Sequence, residues 1–183
     1  MKKLLLLAIV VCFAFAAMLT KSNPPDTFSN YVDDQGRISL PKDYRINWTY
    51  LDSWVVPKTK APGHGFHDVF TQPESAEAYK KNGSFPDGTV LIKEIRSVKT
   101  GEMTSGEANW AGDIDVWFVM IKDNENRFAG KPNWGDSWRW ALIKSSSPEA
   151  KTQNNYKKEC FNCHITAKKT DYIYMDGFTL LRK

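Results

Sequence analysis

The sequence predicts an α+β protein: a mainly antiparallel β-sheet with a few short helices, closed by a C-terminal helix or loop segment. Three observations predict it. The middle of the chain is a series of short β-rich runs separated by turn residues. Helix signals are confined to two short segments. The composition, with 42% apolar and 13% aromatic residues, is that of a ring-rich globular chain. At 183 residues the chain is long enough for one domain with a real core.

Taken in order, Ile46 to Val56 is a strand that places Ile46, Trp48, Tyr50, Trp54 and Val56 on one face by period two. Phe66 to Thr71 is a short strand. Pro73 to Lys81 is a helix, with Pro at its start and Asn82-Gly83 at its stop. Thr89 to Val98 follows the turn Pro86-Asp87-Gly88 and is β-rich. Val116 to Ile121 is a continuous apolar run, as in a strand covered on both faces. Trp138 to Ile143 is the last strand. A second helix is expected to begin at Ser147-Pro148-Glu149 and to lead towards the C-terminal cysteines.

The first residues have the form of an export signal. Lys2 and Lys3 precede an apolar run from Leu4 to Leu19, and Ala14-Phe15-Ala16 offers small residues at cleavage spacing. Residues 1–20 are therefore expected to be a signal peptide, with an uncleaved N-terminal anchor as the alternative. Residues 21–36, with Pro24-Pro25, form a linker or N-terminal segment, and 37–183 form the folded domain. The formal charge of +4 falls to +2 when Lys2 and Lys3 are removed. Its 25 basic and 21 acidic residues are scattered, which argues against nucleic acid as a partner.

Cleavage would also remove Cys12 and leave only Cys160 and Cys163. These belong to Cys160-Phe161-Asn162-Cys163-His164, the C-x-x-C-H pattern of covalent haem attachment. Two thiols add to the two haem vinyl groups. The intervening residues let one helical turn span the ring edge, and His164 then ligates the iron. Three other readings compete. A zinc site needs four ligands, and only His64 and His67 remain as further histidines. A redox dithiol belongs near the start of a βαβ unit. A plain disulfide has no use for His164. The expected cofactor is one covalent haem c. Covalent haem is attached outside the cytoplasm, so an exported, periplasmic location is expected.

Only 19 residues follow His164, and Met175 is the one methionine among them. An electron carrier with a methionine far downstream of the motif does not fit that position. A helical bundle does not fit the strand content. The sixth iron position is expected to be open, with Met103, Met120, His64 and His67 as the other side chains that could reach it.

Lys93 stands out within its strand. Period two places Leu91, Lys93 and Ile95 on one face and Val90, Ile92, Glu94 and Arg96 on the other. A lysine among apolar neighbours tends to lose its proton and become nucleophilic, although a snorkelling edge lysine gives the same pattern.

From about Leu40 to the C-terminus the chain resembles the cytochrome P-460 family. The resemblance lies in Leu40-Pro41-Lys42-Asp43-Tyr44-Arg45, Pro73-Glu74-Ser75, and Phe85 with Asp87-Gly88-Thr89-Val90. It continues through Lys93-Glu94, Gly112-Asp113, Lys122-Asp123, the C-x-x-C-H motif and Lys169-Thr170-Asp171. The resemblance implies that Lys93 is joined covalently to a meso carbon of the porphyrin. It also implies a homodimer, a five-coordinate haem, and oxidation of hydroxylamine with a distal carboxylate taking protons. The related cytochromes c′-β lack the lysine and bind nitric oxide in an apolar pocket. Here the sequence departs from the catalytic pattern. By spacing to Lys122-Asp123, Phe118 stands where the acid is expected, and Val116 to Ile121 contains no acid. Asp68, Asp113 and Asp115 are candidate substitutes. His67 matches a place where the family can carry an arginine near the distal side, which makes it a candidate proton carrier.

Three functions follow as expectations: a hydroxylamine-oxidising cytochrome acting on small nitrogen oxides, a nitric-oxide-binding protein with a Phe118-walled pocket, and an electron-transfer cytochrome. Lys157, Lys158, Lys168 and Lys169 near the motif offer a surface for an acidic redox partner protein, or simply a solvated basic face.

Overall fold

The computed structural model describes residues 28–57, 59–150 and 154–182. The candidate signal segment, Cys12 and the first part of the linker lie outside the described residues. No helix among the described residues is long and apolar enough to cross a membrane.

Among the described residues six strands form one antiparallel sheet: β1 (Thr49–Val56), β2 (Gly65–Thr71), β3 (Val90–Met103), β4 (Gly106–Lys122), β5 (Trp134–Gly135) and β6 (Trp138–Lys144). Their order is β1-β2-β3-β4-β6-β5. Among the described residues four short α-helices accompany them: α1 (Tyr44–Asn47), α2 (Pro73–Asn82), α3 (Tyr156–Glu159) and α4 (Phe161–His164). Helix α2 runs as its end signals predict, with Pro73 in its first turn and Gly83 in the left-handed conformation at its end.

Both faces of the sheet are covered, which is why its central strands are apolar on both sides. One face carries Ile38, Tyr44, Phe70, Val90, Ile92, Val119, Ile121 and Ile143, with Phe28, Tyr31 and Trp48 packed on them from the N-terminal segment. The other carries Leu51, Val69, Leu91, Met120 and Trp140. The C-terminal segment packs there through Tyr156, Cys160, Tyr172, Ile173 and Phe178.

Three expectations need correction. Ile46 is not in the first strand: it lies in α1 and is 83% exposed. Strand β1 starts only at Thr49, and its alternation is broken by a bulge between Tyr50 and Asp52. Tyr50 therefore packs on Phe70 on one face, whereas Leu51 and Trp54 join the core of the other. Second, Ser147-Pro148-Glu149 makes a turn closed by the Ala150 amide on the Ser147 carbonyl at 3.0 Å. The helix begins at Tyr156 instead, where the Asn155 side chain caps the Lys158 amide. A Ser-Pro pair serves turns as well as helix starts. Third, β3 and β4 run on to a hairpin end at Met103 and Gly106. Beyond Val98 the pairing continues through Lys99-Thr100-Gly101-Glu102, where the side chains are largely exposed and no apolar pattern marks a strand.

The register of β3 is held from the N-terminal face. Glu94 is fully buried. It accepts a short hydrogen bond from the Tyr44 hydroxyl and is ion-paired with Arg45 at 3.3 Å and Arg96 at 3.9 Å. Trp117 Nε1 donates to the same hydroxyl at 2.8 Å. Removing one member of a buried charged network leaves the others uncompensated. Glu94→Ala is therefore expected to lower stability by about 3–5 kcal/mol, measured by urea unfolding. A loss comparable to that of a surface substitution would contradict this role.

Candidate haem-binding site

The motif lies on the C-terminal segment. Helices α3 and α4 meet at Cys160, whose φ of −123° and ψ of −42° break the helical run. The His164 amide still donates to the Cys160 carbonyl at 3.2 Å, so Cys160, Cys163 and His164 share one turn. Both cysteines are free thiols, Cys160 buried and Cys163 exposed. Burial pushes the Cys160 thiol up to about 11. All three side chains line one cavity of about 280 Å³ between the C-terminal segment and the sheet.

His164 is oriented by the backbone. Its Nδ1 bonds the Tyr172 carbonyl at 2.7 Å, which leaves Nε2 free to bind a metal. That carbonyl is aimed by a reversal in which Asp171 and Tyr172 take φ values of 58° and 65°. Asp171 is in turn pinned to the sheet: its carboxylate accepts from Lys122 Nζ at 2.7 Å and from Trp138 Nε1 at 3.2 Å. Burial lowers the pKa of His164, which favours the neutral imidazole that a metal needs.

The sheet supplies the opposite wall. Lys93 of β3 faces the cavity with Leu91 and Ile95, as period two predicts. It pairs with Val69 on one side and Phe118 on the other. Among the described residues its amine has no carboxylate or carbonyl partner; its Nζ lies 4.6 Å from the centre of the Phe118 ring. Burial lowers its pKa, with the nearby cysteines acting weakly in the other direction. A lysine so placed is readily deprotonated and nucleophilic.

His67 of β2 also lines the cavity, packed on Trp54 with ring centres 5.1 Å apart. Its Nε2 bonds the Gly63 carbonyl at 2.6 Å. Its Nδ1 is buried without a partner. With the proton on Nε2, Nδ1 carries the free lone pair of a base.

The candidate acids are elsewhere. Asp68 lies one residue from His67 on β2 and so points to the other face, where Arg96 reaches it at 3.5 Å. Asp113 and Asp115 are exposed and do not line the cavity. Of the other candidate iron ligands, His64 bonds the Val56 carbonyl at 2.9 Å and Met103 sits exposed at the hairpin end. Met120 alone of that group joins His67 on the cavity wall. Lys157, Lys158, Lys168 and Lys169 are exposed.

Sequence reasoning missed Trp140, whose ring edge meets His164 at 4.7 Å, and Glu159, the acid that does line the cavity. The alternation Trp138-Arg139-Trp140 could have marked Trp140 as facing inward. No residue pattern could have singled out the Tyr172 carbonyl, because every residue has one.

A two-faced antiparallel sheet whose C-x-x-C-H turn and half-buried Lys93 share one cavity has the arrangement of a c-type haem cytochrome of the β-sheet kind. The cytochrome P460 family model matches the chain over residues 41–175. The chain therefore belongs to the cytochrome P460 family. No curated protein matches it. The residues present fit a haem: two thiols and an imidazole on one turn, the imidazole held with Nε2 free, and an apolar wall facing them.

Burial lowers the pKa of His67 below its ordinary 6.5. On acidification the unfolded chain binds a proton near 6.5 that the folded chain binds only at lower pH. Stability contributed at neutral pH is therefore lost as pH falls from 6.5 to the lower folded value. His67→Gln is expected to remove that part of the acid-side loss in urea unfolding of the haem-loaded protein. Identical pH slopes for parent and variant would contradict it.

Proposed function

We propose that the protein is an exported, periplasmic mono-haem cytochrome of the P460 type that oxidises hydroxylamine or a related small nitrogen compound. The observation that carries the proposal is the Lys93 amine, half-buried and without a polar partner among the described residues, in the same cavity as Cys160, Cys163 and His164. Cys160 and Cys163 would hold the haem c by thioethers, His164 would ligate its iron, and Lys93 would tie the ring from the sheet side. When bound, the haem would supply an iron able to take the nitrogen of the substrate and accept its electrons.

The chain's own groups do the rest. Phe118, Leu91 and Ile95 present an apolar wall that limits water near the substrate. Oxidising hydroxylamine to nitric oxide releases a proton with each electron, so a base is needed. The Phe118 ring cannot accept one. His67, neutral and with its Nδ1 unpartnered, is the group proposed to do so. Electrons would leave to a redox partner protein, and the protein is proposed to act as a homodimer, as its family membership suggests.

A second reading is favoured by one observation. Phe118 lies directly opposite Lys93 in the β3–β4 register and makes that wall apolar, which suits a nitric oxide binder without turnover.

Turnover separates the two. With hydroxylamine and an artificial electron acceptor, the parent is expected to reduce the acceptor catalytically, and His67→Gln to lose about 10²–10⁴-fold in rate, the usual size of a general-base contribution. Phe118→Glu is expected to raise the rate by restoring an acid. Lys93→Leu should retain haem through its thioethers but show an ordinary c-type spectrum. No turnover with tight ferrous nitrosyl formation would instead establish the binder.

A further inference from the structure

Beside His164, between strand β6 and the C-terminal segment, three groups form a line that the proposed chemistry does not use. The Trp140 ring meets the His164 imidazole edge-on at 4.7 Å. Tyr156 stacks on Trp140 with ring centres 5.9 Å apart and planes 14° from parallel. The Tyr156 hydroxyl donates to Asp136 Oδ2 at 2.8 Å. Tyr172 also lies close to the same carboxylate. Asp136 is exposed, whereas Trp140 and Tyr156 are buried.

The arrangement is built tightly. A Cβ on Gly135 would fall 2.4 Å from the Tyr156 ring, so only glycine lets the chain lie against the phenol. Trp140 Nε1 donates to the Gly135 carbonyl at 3.3 Å, which ties the indole to the same turn. The next residue, Asp136, takes a φ of 55° and turns its carboxylate to the phenol. Burial and the Asp136 hydrogen bond push the Tyr156 phenol up to about 12. A neutral phenol sheds its proton when it is oxidised, and the Asp136 carboxylate stands 2.8 Å away to receive it.

We propose that Trp140 and Tyr156 form a one-electron relay that drains oxidising equivalents from the His164 side of the haem to the surface at Asp136. Electron tunnelling falls steeply with distance, so rings in near contact conduct where isolated ones do not. The oxidant is a peroxide. Its O–O bond breaks, and with two electrons and two protons from solvent it leaves as two waters; a bound haem would be the place where it is reduced. Of the two electrons, one comes from Tyr156 through Trp140 and the other directly from a one-electron donor in solution. The Tyr156 O–H bond breaks as its electron leaves, and the proton passes to the Asp136 carboxylate. The radical left on Tyr156 is quenched by a one-electron donor in solution, and the proton returns. Without the relay, that equivalent would stay beside the Lys93 and Cys160 side chains and oxidise the cavity wall.

The relay requires haem attachment at Cys160, Cys163 and His164 but not the hydroxylamine reading. The test treats the ferric, haem-loaded full chain with one equivalent of hydrogen peroxide, freezes it rapidly and records the electron paramagnetic resonance spectrum. A tyrosyl radical is expected in the parent and in Tyr172→Phe, and its loss in Tyr156→Phe. Trp140→Phe should slow its appearance and increase oxidation of the cavity residues, read by peptide mass spectrometry. Asp136→Asn should also slow it, because the proton then has no acceptor. A radical of equal yield in Tyr156→Phe, or a parent with full haem content and no tyrosyl radical, would overturn the relay. A chain that binds no haem would overturn the haem assignment and the relay together. A relay that works in a protein inert to hydroxylamine would overturn only the proposed substrate.

Discussion

The buried carboxylate of Glu94 is the constraint on which the cavity depends. It sits on the N-terminal face of the sheet, held by Tyr44, Arg45 and Arg96. A strand alternates strictly, so fixing Glu94 on that face fixes Lys93 on the other. A slip of one residue would bury Lys93 under the N-terminal segment and present an acid to the cavity. Pairing then carries the choice outwards: Val69 and Phe118 face the cavity because they lie opposite Lys93, and Asp68 and Trp117 face away because they lie opposite Glu94. The apolar wall and the lone amine thus follow from one polar cluster on the reverse side.

The second layer is the C-terminal segment, and it is held to the sheet by a polar latch. Lys122 at the end of β4 and Trp138 at the start of β6 both bind Asp171. The reversal at Asp171 and Tyr172 sets the carbonyl that orients His164. The His164 ring is therefore aimed by residues on the far end of the sheet rather than by its own short helix. This explains how Lys122 and Asp171, distant in sequence and both within the segments that resemble the family, bear on the same atom.

Much of this was legible in the residues. The C-x-x-C-H spacing located one side of the cavity, and period two in β3 located the other through Lys93. What was not legible shares a physical cause. The bulge in β1 inserts Leu51 and reverses the alternation after it, so Trp54 could not be placed on the face of Trp48 and Tyr50 by counting, and Ile46 lies outside the strand in α1. The outer half of the β3–β4 hairpin is paired through its backbone and leaves no apolar pattern. Asp68 adjoins His67 in sequence, yet the pleat sends it to the opposite face. Proximity along a strand is thus a poor guide to a shared site, and parity is a good one. The orientation of His164 rests on a backbone carbonyl, and Trp140 reaches it from a strand that is distant in sequence.

The central claim is that Lys93 and the C-x-x-C-H turn grip one ring from opposite sides. The measurement that tests it most directly is mass spectrometry of the protease-digested, haem-loaded protein. Lys93 tied to the ring predicts a single haem-bearing species that contains both the peptide with Cys160 and Cys163 and the peptide with Lys93. A haem joined to the cysteine peptide alone, with the Lys93 peptide recovered free and unmodified, would contradict it.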